Sequence, residues 1–295
     1  MSKNTNKIDG WIVIDKPLDM GSTSVVGRLK HILHPNKIGH AGTLDPLATG
    51  VLPIALGNAT KLIPFVMDGR KVYDFQITWG SETETDDAEG AVTATSALRP
   101  SEEEIKACLP SFLGVIEQVP PAYSALKISG QRAYDLARRG ADVELAARAV
   151  KIEDLQLLRF DDNSADFRVV CGKGTYVRSL GRDIGRKLGC LGHITALRRI
   201  ACGPFKIEDA VSMKQVESGQ GLLPMMTALT QMKKLPCTDV ERVRLQQGQR
   251  LALRTVLDRL STVSEDEVVC LIYNNQPFGL ARVGQGTLHP YRMFS

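Results

Sequence analysis

The sequence predicts an α+β fold with a small β-rich C-terminal end, and three observations carry that reading. Apolar and polar residues alternate in two well-separated runs: Tyr73, Phe75, Ile77 and Trp79, then Phe167, Val169 and Cys171. A period of two marks a strand with one buried face. Other segments follow helical spacing, and Val177, Leu180, Ile184 and Leu188 form the clearest such stripe. Beyond Leu235-Pro236 the texture changes to a Gln/Arg-rich stretch, Glu241 to Arg254, and then two apolar runs, Val268 to Tyr273 and Phe278 to Val283. Asn274, Asn275 and Gln276 lie between those runs and suit a hairpin turn. The chain is therefore divided into a large domain, 1–236, and a small one, 237–295.

The remaining elements follow in chain order. Trp11 to Ile14 reads as a strand that runs into a turn at Asp15-Lys16-Pro17. Ser22 or Thr23 can cap a helix carrying Val25, Val26, Leu29, Ile32 and Leu33, which Pro35 stops. Gly39, Gly42, Pro46, Gly50, Pro53 and Gly57 make a long ordered loop that leads into strand-like Val51 to Leu56. Ser101 and Glu104 have capping-box spacing ahead of Ile105, Cys108, Leu109 and Phe112. Gln131 to Arg139 reads as a helix that closes on Gly140.

Composition narrows the function classes. The 295 residues are 43% hydrophobic and 24% charged, which fits a folded globular chain. No apolar run approaches the roughly 20 residues that span a bilayer, and the N-terminus has no apolar secretory core. A cytoplasmic location is expected. The six cysteines have no CxxC spacing and are expected to be reduced thiols. The five histidines form no HExxH or Cys/His cluster, so no metal is expected. No GxxxxGK[ST] loop is present, so ATP binding is not expected.

Charge is spread unevenly about a net of +4. From Glu82 to Glu104 eight carboxylates face one Arg99, a run read as a solvated surface. From Phe167 to Lys206 nine cations face one Asp183. Arg178, Arg182 and Arg186 recur every four residues and line one side of the helix that begins at Val177. A buried stripe with an arginine ridge beside it suits phosphate contacts to a nucleic acid.

The most unusual segment is Gly39-His40-Ala41-Gly42-Thr43-Leu44-Asp45-Pro46-Leu47-Ala48-Thr49-Gly50. Pro46 biases Asp45 toward an extended backbone, and apolar neighbours would partly desolvate its carboxyl. Two readings stay open on these residues alone: an acid placed for chemistry, or an Asp-Pro turn.

Several stretches carry a resemblance. GHAGTLDPLATGVLPIALGNATKL (39–62) is similar to the catalytic motif of the TruB family of tRNA pseudouridine-55 synthases. Lys16-Pro17, Lys71-Val72-Tyr73, PPAYSALKISGQRAYDLARRG (120–140), GTYVRSLGRDIG (174–185) and LRRIACGPF (197–205) stand in that family's order. The similarity covers roughly 9–210. LQQGQRL (245–251) and GLARVGQGTLHPYRMF (279–294) resemble the PUA domain that ends bacterial members.

The resemblance implies the pseudouridine synthase fold: a mixed, mainly antiparallel sheet flanked by helices and loops, a tRNA-contacting insertion near 100–150, and a PUA-like RNA-binding end. It implies isomerisation of a flipped-out uridine at position 55 of the tRNA T loop, without cofactor or metal. Asp45 would be the essential carboxylate, and Arg178 its ion-pair partner. Tyr73 would stack on the base and is a candidate for removing the C5 proton. Tyr176 would wall the pocket, and His40 would insert beside the extruded nucleotides. Lys16 is placed with the substrate-binding residues or in a supporting layer under the Asp45 loop. Arg132 and Arg182 are expected on RNA phosphates, with Lys127, Arg138 and Arg139. The expected partner is tRNA, through its T loop and acceptor-T stem, with no membrane, no obligatory protein partner and a monomeric enzyme. Two other readings are a non-catalytic RNA-binding or tRNA-folding module, and a synthase subunit guided by a separate RNA.

Overall fold

The computed structural model describes residues 6–124, 127–128, 131–132, 139 and 145–294. Its centre is a ten-stranded sheet. Along the main path the strands run Leu222–Leu223, Gly10–Lys16, Ala48–Leu56, Gly192–Cys202, Lys71–Trp79, Ser164–Cys171, Arg148–Phe160 and Gly114–Gln118. Ile38–His40 and Phe205–Lys206 add to this path from the side. One pairing, Gly192–Cys202 with Ala48–Leu56, is parallel, and the others are antiparallel. The sheet is mixed and mainly antiparallel, as expected.

Each face of this sheet carries its own core. On one, Ile12, Ile14, Leu52, Phe75, Ile77 and Phe167 pack with helices Ser22–Leu33 and Val177–Lys187 through Val25, Leu29, Leu180 and Ile184. On the other, Trp11, Val13, Val51 and Ala55 meet Phe205, Leu229, Cys270 and Leu280. Alternation along Gly10–Lys16 explains the split: odd residues face one core and even residues the other.

The C-terminal end is a second, five-stranded sheet, ordered Lys234–Pro236, Val268–Tyr273, Gln276–Gly284, Thr287–Met293 and Leu251–Ala252. Asn274 and Asn275 both take positive φ, 47° and 59°. That left-handed pair matches the tight turn read from sequence. Lys234–Pro236 pairs in parallel with Cys270–Ile272, so this sheet begins before residue 237. Cys270 and Leu280 also belong to the core shared with the large sheet.

Three readings of the sequence change here. Ser22 opens its helix but is not a cap; its hydroxyl is taken by Leu44. Gln131–Arg132 pairs with Lys127–Ile128 as a two-residue hairpin, not a helix. Most of the expected helix from 133 to 140, including Arg138, lies outside the described residues; Arg139 is in an exposed turn. Finally, the acidic run is a solvated face only in part: Glu84, Glu89, Glu103 and Glu104 are exposed. Glu82, Asp86 and Asp87 are buried, and they meet the arginines of the Val177–Lys187 helix. The capping box is as read: Ser101 and Glu104 bond each other's backbone N–H at the start of helix Glu102–Cys108.

Gly50 marks the tightest point of the large sheet. Its φ is +96°, and a Cβ there would lie 2.3 Å from the Arg199 carbonyl oxygen. Both the dihedral and the contact exclude a side chain. Gly50→Ala should therefore destabilise the fold by about 2–4 kcal/mol, read from chemical denaturation.

In the C-terminal end, Arg259 forks onto Glu241 with Nη–Oε distances of 2.9 and 2.7 Å. This contact holds the Glu241 carboxyl at about 2, well below its ordinary value. A depressed carboxyl contributes stability that is present above its unfolded pKa and disappears as pH falls through the folded one. Glu241→Gln should cost about 1–3 kcal/mol at pH 7. The difference from the parent should shrink below about pH 4.5 and vanish near pH 2, in denaturation curves taken across that range.

Candidate active site

A cleft of about 330 Å³ opens where the Asp45 loop, strand Lys71–Trp79 and the start of helix Val177–Lys187 meet. Asp45, Tyr73, Tyr176 and Arg178 all line it. Four residues separated by up to 133 positions thus converge on one cleft.

The Asp45 loop is tied down from below. Ser22 Oγ donates to the Leu44 carbonyl at 3.0 Å and accepts from the Leu44 N–H at 2.8 Å. Lys16 is fully buried. Its ammonium donates to the carbonyls of Pro17, Met20 and Pro46, at 2.9, 2.6 and 3.2 Å. Burial pulls the Lys16 pKa down, and the charge of Asp45 pushes it back up. Lys16 therefore belongs to the supporting layer. It continues the inward face of Ile12 and Ile14 and is absent from the cleft lining.

The carboxylate is oriented from the side. Arg178 is 5% exposed, and its Nε reaches Asp45 Oδ2 at 2.9 Å. Its Nη1 donates to the Thr85 carbonyl and its Nη2 to the Tyr123 carbonyl, each at 2.9 Å, and Asp87 Oδ2 stands 3.6 Å from Nη1. With every edge of the guanidinium occupied, the one facing Asp45 is fixed in angle. Asp45 remains partly open to the cleft, since its side chain is 38% exposed. This is the geometry of a carboxylate held ready for a reactant.

The rest of the helix supports Arg178. Gln118 caps its start through Tyr176, accepting from the Tyr176 N–H at 2.8 Å and donating to its carbonyl at 3.1 Å. Arg182 is buried on Asp86, Asp183 and the Val119 carbonyl. Arg186 forks onto Glu82 at 2.7 and 2.8 Å. Burial lifts Asp86 to about 6 against the pull of Arg182 and Arg178. Arg178 and Arg182 are therefore engaged inside the protein, while Arg186 is exposed and paired to Glu82. Arg182 is not available to RNA phosphate, and its expected role is corrected to holding the 82–87 turn. Arg132 lies in the short hairpin with Lys127, away from this network in sequence.

His40 ends strand Ile38–His40 and does not line the cleft. Burial and the nearby Arg199 charge hold its imidazole below the ordinary value, so it is neutral. Tyr73 lines the cleft, and burial raises its hydroxyl to about 12. It is a phenol at neutral pH, which suits stacking and hydrogen-bond donation better than proton removal.

Sequence reasoning missed three residues. Arg199 was counted only as surface charge. It is 1% exposed and lines the cleft, and its guanidinium donates to Val51, Gly42 and Thr43 carbonyls. Lys71 is buried on the Met67 and Gly69 carbonyls and also lines the cleft. Asp87, 1% exposed, backs Arg178. A pairing map, not a residue count, would have found them.

Residues 30–177 match the TruB family pseudouridylate synthase N-terminal domain, and 178–235 match the tRNA pseudouridylate synthase B C-terminal domain. The chain belongs to the TruB family. A relative in Bradyrhizobium diazoefficiens, named tRNA pseudouridine synthase B, is 50% identical over 306 aligned positions, covering 99% of this chain and 88% of its own. One of the same name in Paracoccus denitrificans is 46% identical, covering 99% and 98%. Among solved structures, a Cbf5-Nop10-Gar1 complex superposes with a TM-score of 0.77 at 24% identity, over 97% of this chain and 85% of that one, and shows the shared fold. The TruB family match thus spans the Asp45 loop and all of the ten-stranded sheet except Gly10–Lys16. Among the described residues no helix is long and apolar enough to cross a membrane.

Arg178→Lys keeps the charge but cannot make four directed contacts from one planar group. It should lower single-turnover activity by at least about 100-fold and leave RNA affinity within a few-fold, measured by filter binding.

Proposed function

We propose that this TruB protein isomerises uridine to pseudouridine at position 55 in the T loop of tRNA. The observation that carries the reading is the partly open Asp45 carboxylate, gripped by a buried Arg178 at 2.9 Å in a cleft lined by Tyr73 and Tyr176. The 46–50% identical relatives named tRNA pseudouridine synthase B support tRNA as the substrate.

The target uridine must leave its stack to enter such a cleft. Tyr73 and Tyr176 then offer ring surfaces to the base, and Lys173 sits on the rim for phosphate. The N1–C1′ bond breaks with its electron pair going to N1, which builds positive charge on C1′ and the ring oxygen. Asp45 stabilises that charge by attack or by proximity, as carboxylates do in glycoside cleavage. The detached base turns, C5 supplies the electron pair for a new bond to C1′, C5 loses its proton, and N1 gains one. The close-packed loop keeps water from the sugar.

The C-terminal sheet is assigned as a PUA-like module that contacts the acceptor stem, and the enzyme as one acting without an obligatory partner. A module that only binds or folds RNA has no use for an arginine-oriented carboxylate in a cleft. The likeness to the Cbf5-Nop10-Gar1 complex, at 24% identity, is one of fold alone and gives the RNA-guided reading no support of its own.

Asp45→Asn preserves size and removes the charge that the sugar cation needs. Turnover of unmodified tRNA transcript should fall below about 0.1% of the parent, a loss of at least 4 kcal/mol in barrier stabilisation. Binding should stay within a few-fold. Carbodiimide mapping of pseudouridine at position 55 reads the first quantity, and residual turnover above about 1% would remove Asp45 from the chemistry.

A further inference from the structure

The cleft has a second charged wall for which the mechanism above gives no role. Arg199 lies between Gly50 on its parallel neighbour and Tyr73 on its antiparallel one, so the three stand side by side across the sheet. Opposed residues in adjacent strands point to one face, which puts the guanidinium beside the Tyr73 ring. The Arg199 charge lies close enough to the Tyr73 hydroxyl to pull its pKa down against the burial that raises it. Two residues along the same strand Lys71 follows, between Cys171 and Cys202 in register. Arg199 and Lys71 are both buried, and both line the cleft. Their recorded hydrogen-bond partners are backbone carbonyls: Val51, Gly42 and Thr43 for Arg199, and Met67 and Gly69 for Lys71. Neither makes an ion pair with a carboxylate among the described residues. The contrast is sharp, because Arg168, Arg178, Arg182, Arg186 and Arg198, close in sequence, each reach an acid within 3 Å.

Two desolvated cations without a counter-ion are costly unless negative charge arrives in the functioning state. Heterolysis of the N1–C1′ bond creates one: the cation forms on the sugar, and the base departs as a uracil anion. We propose that Arg199 and Lys71 form an anion-stabilising floor for the departing base, with Arg199 acting as a positioning residue through the hydroxyl of Tyr73. A phenol that accepts from Arg199 keeps its own proton free to donate to a uracil oxygen. The same contact makes that donor stronger. The cleft is then polarised to match the transition state, with the Asp45 carboxylate toward the sugar and the cations toward the base. This rests on the isomerase reading given above.

Leaving-group dependence separates this role from a structural one. tRNA carrying 4-thiouridine at the target position keeps N1 and C5 but has a more acidic base, whose anion needs less help. Single-turnover rates at saturating enzyme are compared for uridine and 4-thiouridine substrates with the parent, Arg199→Gln and Tyr73→Phe. Arg199→Gln should slow uridine by about 100-fold or more and slow 4-thiouridine by at least about 10-fold less. Tyr73→Phe should show the same pattern without disturbing the loop carbonyls. Arg199→Lys, which keeps the charge, should recover part of the uridine rate if it folds, as read by its melting curve. Equal losses on both substrates in Arg199→Gln and Tyr73→Phe overturn the proposal and leave Arg199 as a brace for the Asp45 loop. A loss confined to tRNA affinity and its salt dependence also overturns it, because the floor would then hold a phosphate. A parent enzyme that isomerises neither substrate would instead refute the isomerase reading.

Discussion

The architecture of the site depends on bringing Arg178 and Arg182 of helix Val177–Lys187 out of water. Arg178 and Arg182 are buried, and Arg186 is clamped on a buried Glu82. A guanidinium loses several kcal/mol of hydration on burial, so each must be met by charge or by well-placed carbonyls. Asp45, Asp87, Asp86 and Glu82 supply the charge; Thr85, Val119 and Tyr123 supply carbonyls. Satisfying one helix therefore fixes three otherwise separate pieces of chain. The loop carrying Asp45, the turn at 82–87 and the segment 119–123 are all placed by it. The turn is pinned a second time, by exchange of backbone hydrogen bonds between Asp86, Ala88 and Ile194.

The same dependence explains which features the sequence disclosed. Strands Lys71–Trp79 and Ser164–Cys171 were legible because alternation is local, and the Glu102–Cys108 helix because Ser101 and Glu104 are three residues apart. The convergence of Asp45, Tyr73, Tyr176 and Arg178 was legible only through long motifs, since no local rule connects positions so distant. The two charge runs misled for the opposite reason. Read along the chain, each looks like repulsion that solvent or RNA must relieve; folded, Glu82, Asp86 and Asp87 of one meet Arg186, Arg182 and Arg178 of the other. Ser22 shows a smaller version of the same failure. A serine at a helix start suits a cap, yet its hydroxyl is engaged by Leu44 across 22 positions.

Lys16 and Arg199 extend the lesson to single side chains. Lys16 follows Ile12 and Ile14 on one face of its strand, so alternation itself directs it inward, into the supporting layer that was one of its two expected places. Arg199 becomes visible only when register is known, because its neighbours Gly50 and Tyr73 are 149 and 126 positions away. Gly50 has no side chain because Arg199 passes so close, and that closeness lets the guanidinium gather the carbonyls of Gly42, Thr43 and Val51. One strand crossing thus shapes the loop that presents Asp45.

The core shared by the two sheets has a mechanical consequence. Trp11, Val13, Val51 and Ala55 lie on the back of the strands that carry the cleft, and Cys270 and Leu280 of the C-terminal sheet pack into the same cluster. Lys61 and Arg292 add bonds across the junction, to the carbonyls of Met293 and Lys61. Close-packed interiors resist compression and shear. The separation between the cleft and the C-terminal sheet is therefore a built-in gauge, not the reach of a tether. A nucleic acid that touches both must fit this fixed span, and any bending or unstacking needed to do so falls on the nucleic acid.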